Sequence, residues 1–216
     1  MESILEKFGI YDIVAVLTTG IGICTFSTLV IQLIYKKDLN LNINLIISET
    51  IVFFVISYLV GLFFQEAGSI IQNKIVYKDD GLLKKVLETS DETHEMLTQK
   101  EKEGIYNFVK SKPGMRDSDD KGIYNYCKFY VISRCDTTRI DKDQSLSAMS
   151  RSLSLYFALL ALIVLISMRF YCFDWKKVCL LFISCVTAVI LFFRYKRFAK
   201  LRYSNIYKIF YYKEVL

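Results

Sequence analysis

The sequence predicts an all-α integral membrane protein: two transmembrane hairpins, four spans in all, with a helical cytoplasmic domain between them. Three observations predict it. Apolar stretches occur in two pairs, residues 13–35 with 45–64 and residues 153–168 with 178–193. A helix needs roughly 20 apolar residues to cross a hydrocarbon core about 30 Å thick. The first pair meets that length, and the second, near the short limit, calls for Lys and Arg snorkelling at its ends. Next, 53% of the residues are hydrophobic, the mean hydropathy is +0.32 and there is one proline. With no alternating strand pattern, this composition excludes a β-barrel in favour of helices. Finally, the basic residues are distributed unevenly. Lys74, Lys78, Lys84, Lys85, Arg134, Arg139, Lys142 and Arg151 lie in the central block, and Arg194, Lys196, Arg197, Lys200 and Arg202 in the tail. The short loops hold only Lys36 and Lys37, then Arg169, Lys176 and Lys177. The positive-inside rule therefore places both termini and the central block in the cytoplasm. The expected division is 1–76, first hairpin; 77–150, cytoplasmic helical domain; 151–193, second hairpin; and 194–216, a basic aromatic tail.

Taken in order, residues 1–7 carry Glu2 and Glu6 against Lys7, the wrong charge for a signal-peptide n-region, so the first span is expected to stay in the mature chain. Asp12 is placed to cap that span at its positive end. Within it, Thr18, Gly22, Thr25 and Gln32 fall within about 80° of one another at 100° per residue. In the second span Ser57, Gly61, Gln65, Gly68 and Gln72 do the same, with Glu49 near in angle. Two readings fit such stripes: small residues that let helices pack closely, or a wetted face lining a pore. Thr18, Gly22, Thr25, Gln32, Ser57, Gly61 and Gln65 are the candidate pore-facing residues. Glu66 points away from the Ser57/Gly61 stripe and is expected to pair with a cytoplasmic base.

A mixed-charge helix is expected from Leu82 to about Lys102, with His94 on its surface, and a short helix over residues 105–109 ended by Lys112-Pro113-Gly114. Asp117-Ser118-Asp119-Asp120 starts the next helix, acidic where the dipole favours it. That helix either runs unbroken through Arg151 into the third span, as a lever, or breaks near residues 135–138, where β-branched residues and Asp weaken it. Tyr171 and Trp175 anchor the loop between spans three and four. The tail interleaves bases with Tyr195, Phe198, Tyr203, Tyr207, Phe210, Tyr211 and Tyr212. It reads as an amphipathic helix on anionic lipid in preference to a nucleic-acid binder.

Enzyme chemistry is missing. The chain has no HExxH, GxSxG, P-loop or GxGxxG pattern, and Glu49 has no acidic partner within a span. The cysteines at 24, 127, 135, 172, 179 and 185 lack CxxC spacing and nearby histidines, so neither a metal centre nor a disulfide framework is expected. No catalytic residue, metal or cofactor is assigned.

Gly9-Ile10-Tyr11-Asp12-Ile13, Tyr58-Leu59-Val60-Gly61 followed by Gln65-Glu66-Ala67-Gly68-Ser69, and Leu146-Ser147-Ala148-Met149-Ser150-Arg151-Ser152-Leu153 resemble a pattern of bacterial four-span proteins. Some of these are encoded beside nucleotidyltransferases in anti-phage operons, and the chain resembles the Hailong-type transmembrane effectors. The likeness covers the span borders and not the region from Leu82 to Lys112. It implies an oligomeric channel in the bacterial inner membrane that depolarises it during infection, opened by a nucleotide or oligonucleotide made by the partner nucleotidyltransferase. A homo-oligomeric, ligand-gated pore is thus the leading expectation, since four spans alone do not readily enclose an ion path. Arg134, Arg139, Lys142 and Arg151 are the candidate anion-ligand residues, each equally explained as a positive-inside charge. The rival is a non-conducting membrane anchor for a soluble partner.

Overall fold

The protein is represented by a computed structural model that describes residues 10–35, 47–71, 97–170 and 174–216. It is all-helical over these residues: α1 (Ile10–Tyr35), α2 (Ile47–Ile71), α3 (Gln99–Lys110), α4 (Asp120–Arg134), α5 (Thr138–Phe170) and α6 (Trp175–Phe210), closed by a π-helical turn at Tyr211–Val215. Among the described residues, α2, α5 and α6 are long and apolar enough to cross a membrane, and α1 contributes a shorter apolar stretch, Ile13–Thr28. The chain divides into two compact units. One joins residues 1–70 with 145–195; the other joins 71–144 with 196–216. Helices α5 and α6 contribute residues to both.

The first unit is built from α1, α2 and most of α5 and α6. Its core holds Ile23 and Val30 of α1 with Tyr156, Phe157, Leu160 and Val164 of α5, and Val60, Phe64, Leu180 and Leu191 pack around them. Many outward side chains of the unit are apolar as well. Phe63 is 68% exposed, Ile163 56% and Phe182 70%, and such side chains recur along α2, α5 and α6. A soluble protein does not leave so much large apolar surface in water, whereas lipid accepts it. Two polar groups inside the unit find local partners: Ser154 Oγ donates to Ala188 O (2.9 Å) and Ser27 Oγ meets the Tyr156 hydroxyl at 3.0 Å.

The second unit has a hydrophobic core of its own. Leu97, Ile105 and Val109 meet Ile123, Cys127 and Val131 of α4, Ile140 of α5, and Ile206, Tyr207 and Phe210 of α6. Phe210 is fully buried and takes edge contacts from Phe108, Tyr126 and Tyr130, with ring centres 5.3–6.0 Å apart. Thr98 and Glu101 form a reciprocal capping box at the start of α3. Asp119 Oδ1 accepts from Gly122 N at 2.8 Å at the start of α4.

One open alternative is decided here and one expectation changes. The helix that begins near Asp119 does not run through Arg151: α4 ends at Arg134 and α5 begins at Thr138. Asp136 Oδ1 accepts from Thr138 N (2.9 Å) and Thr138 Oγ1 (2.5 Å), so this short polar side chain satisfies the new helix's first donors and makes the break favourable. The tail is not a separate helix. It is the C-terminal part of α6, and its Ile206, Tyr207 and Phe210 lie in the core of the second unit. The helix expected from Leu82 to about Lys102 lies outside the described residues up to residue 96, and its expected end and the short helix expected at 105–109 are one helix, α3, that starts after the Thr98 cap; His94, Cys172, Tyr171 and the loop lysines 36 and 37 also lie outside the described residues.

Candidate functional site

The polar stripes of α1 and α2 resolve into two environments. An ideal Cβ added to Gly20 would stand 1.6 Å from the Ser57 carbonyl oxygen, and one on Gly61 2.1 Å from the Val16 carbonyl oxygen. The two backbones thus touch directly, which only glycine permits at these positions. Ser57 and Gly61, from the predicted pore set, lie buried in this seam, and the Ser57 hydroxyl has no hydrogen-bond partner among the described residues. Thr19, buried beside Gly20, satisfies its hydroxyl on Ala15 O at 2.7 Å. Thr18 and Thr25, by contrast, are exposed on the outer face of α1, and Gly22 is half-buried with only Leu153 near it. Gln65 is half-buried. The side chains of Asp12, Gln32 and Glu49 lie outside the described residues. The sequence reading missed Gly20, although it stands one turn from Val16 on α1 as Gly61 stands one turn from Ser57 on α2, a spacing at which small residues let helices approach closely.

The four basic candidates are divided between the two units. Arg134 is exposed at the end of α4, its guanidinium 5.1 Å from the Tyr130 ring centre. Arg139 and Lys142 are exposed on the first turns of α5, and their charges act on Asp143. Arg151 belongs to the first unit. It donates from Nη2 to the Gln65 carbonyl oxygen (3.3 Å), and its stem lies against Gly68. That position joins α5 to α2 in addition to placing a charge.

Polar groups in the second unit that the sequence did not single out are better buried. Asp143 and Asn205 are 9% and 7% exposed, with Asn205 Nδ2 donating to Asp143 Oδ2 at 2.6 Å. Burial pushes the Cys127 thiol up to about 12 and the Tyr124 hydroxyl up to about 12. The Lys128 ammonium is lowered, first by burial and then by the charge of Arg202. Tyr106 donates to Asp120, and burial together with that bond raises its hydroxyl above the usual range. No group of three or more His, Cys, Asp or Glu placed to hold a metal lies among the described residues.

No protein-family model, no curated protein and no solved structure matches this chain.

Proposed function

We propose that this chain is a four-span membrane protein whose copies assemble around an axis into an ion channel, with the second unit in the cytoplasm receiving an anionic ligand that opens it. The observation that carries this reading is the exposure of Thr18 and Thr25 on α1, in a unit that exposes many large apolar side chains along α2, α5 and α6. In a lone protomer these hydroxyls would face hydrocarbon, where unpaired polar groups are costly. In a ring of copies they face water or one another. Helices α5 and α6, each contributing to both units, supply continuous backbone by which a ligand held in the second unit biases the pore. The resemblance to Hailong-type effectors adds the context: depolarisation of a bacterial inner membrane during infection, triggered by a nucleotide from a partner nucleotidyltransferase.

The Gly20/Gly61 seam favours the second reading, a non-conducting anchor, because it gives the α2 stripe a packing role that needs no pore. Ion flux from liposomes loaded with the purified protein, beside empty liposomes, separates the two. A channel leaks above the control, and Thr18→Leu with Thr25→Leu abolishes the leak while insertion persists. An anchor leaves every liposome tight, with or without a nucleotide. Reporter fusions at both termini and after Asn40 test the topology, the termini being expected inside and the loop outside.

A further inference from the structure

Lys128 and Arg202 stand near each other in the second unit. The Arg202 charge acts on both Lys128 and the Tyr124 hydroxyl. Tyr124 and Lys128 are one turn apart on α4 and share a face, and the Tyr124 ring packs 5.0 Å from that of Tyr203, the neighbour of Arg202 on α6. Both cations are partly buried. The Arg202 Nε is fully shielded from solvent and has no hydrogen-bond partner among the described residues. No acid of the described residues acts on Lys128. Two like charges drawn out of water, one with an inward donor left unmade, form an arrangement that a bound anion would complete. The planar edge of a guanidinium matches two oxygens of a phosphate, and an ammonium adds a point charge beside it.

We infer that Lys128 and Arg202 form a binding site for the phosphate group of a ligand, the guanidinium and the ammonium supplying its two positive charges. This deepens the channel reading, and rests on it for the consequence of binding, by giving the gating ligand a chemical class and a place distinct from Arg134, Arg139, Lys142 and Arg151. Burial and the Arg202 charge both lower the Lys128 ammonium, and an anion bound beside the two cations would oppose that shift.

The test uses the full chain in phosphatidylcholine nanodiscs, with pyrophosphate and ATP as probes in calorimetry and thermal melts. Both probes are expected to bind and raise Tm. Arg202→Gln, Lys128→Gln and the charge-keeping Arg202→Lys each weaken binding at least tenfold, while Arg139→Gln and Lys142→Gln change it less than twofold. Without ligand, Lys128→Gln melts at or above the wild-type temperature because it removes the repulsion. Should phosphatidylglycerol nanodiscs raise the wild-type Tm and block pyrophosphate, with Arg202→Lys abolishing both effects at an unchanged Tm in phosphatidylcholine, the occupying phosphate is a lipid headgroup. The inference is overturned if neither probe nor lipid binds, if all variants bind alike, or if Lys128→Gln melts lower with no ligand response, as an acid of this chain filling the site would cause. Because binding is read without ion flux, its failure leaves the channel reading standing, and a tight liposome leaves the site standing.

Discussion

At Gly20 and Gly61 the first unit depends on the absence of a side chain. Either glycine replaced by alanine would drive a Cβ into a carbonyl oxygen of the facing helix, 1.6 Å away at Gly20 and 2.1 Å at Gly61. Backbone on a packed helix cannot rotate aside, so Gly20→Ala and Gly61→Ala are each expected to cost about 1–3 kcal/mol, read as a lower Tm in detergent. Gly22→Ala is the control: its nearest neighbour is a Leu153 methyl at 3.9 Å, so Tm should hold or rise. In the second unit, Asn205→Leu strands the buried Asp143 carboxylate without its amide donor, a loss of about 1–3 kcal/mol in thermal unfolding. Cys127 yields a chemical prediction. Its thiol, pushed up to about 12 and fully buried, has roughly one part in ten thousand as thiolate at pH 8, and the thiolate is the reactive form. Iodoacetamide at pH 8 should leave Cys127 unmodified in the folded protein and label it once the protein is denatured, as peptide mass mapping would show.

Elements were legible where a single physical cause acts. The apolar runs of α2, α5 and α6 are visible because lipid demands length and hydrophobicity together, and the start of α4 because Asp119 is a good cap. The break at residues 135–137 was open from the sequence, since propensity there is weak either way. Two hydrogen bonds from Thr138 to Asp136 settle it. The stripe of Ser57 and Gly61 was visible as a stripe, but its partner was not: a helical wheel shows which residues share a face and not which helix covers that face. The basic candidates divided for a similar reason, because Arg151 belongs to the first unit and Arg134, Arg139 and Lys142 to the second, although all four flank one segment of sequence. A test at this scale is the box on α3. Thr98 accepts from Glu101 N, and Glu101 accepts from Thr98 N at 2.7 Å, so Thr98→Ala should cost about 1 kcal/mol. Faster amide exchange confined to the first turn of α3 would be its signature.

For the molecule as a whole, the tail decides how the second unit holds together. Its bases and aromatics suggested a surface segment because Lys and Arg recur along it, yet the helical spacing of Ile206, Tyr207 and Phe210 directs one face into the core. Phe210 alone meets rings from α3 and α4, and Tyr130 donates to Glu214 beyond it. A close approach of α3 to the π-helical turn adds to this, since a Cβ on Gly104 would stand 2.7 Å from the Tyr211 ring. Truncation after Tyr203 therefore removes apolar burial from the second unit while sparing the lipid-facing helices. The shortened protein should remain in the membrane fraction after alkaline washing, because α2, α5 and the apolar part of α6 are intact. Amides of α3 and α4 should lose protection together, since both pack on the missing residues. Limited proteolysis should then cut within residues 99–134 while fragments carrying α2 persist. If α3 and α4 kept their protection in the truncated protein, the aromatic contacts on Phe210 would contribute little to the fold. If instead the membrane fraction were lost, the two compact units would depend on each other for folding.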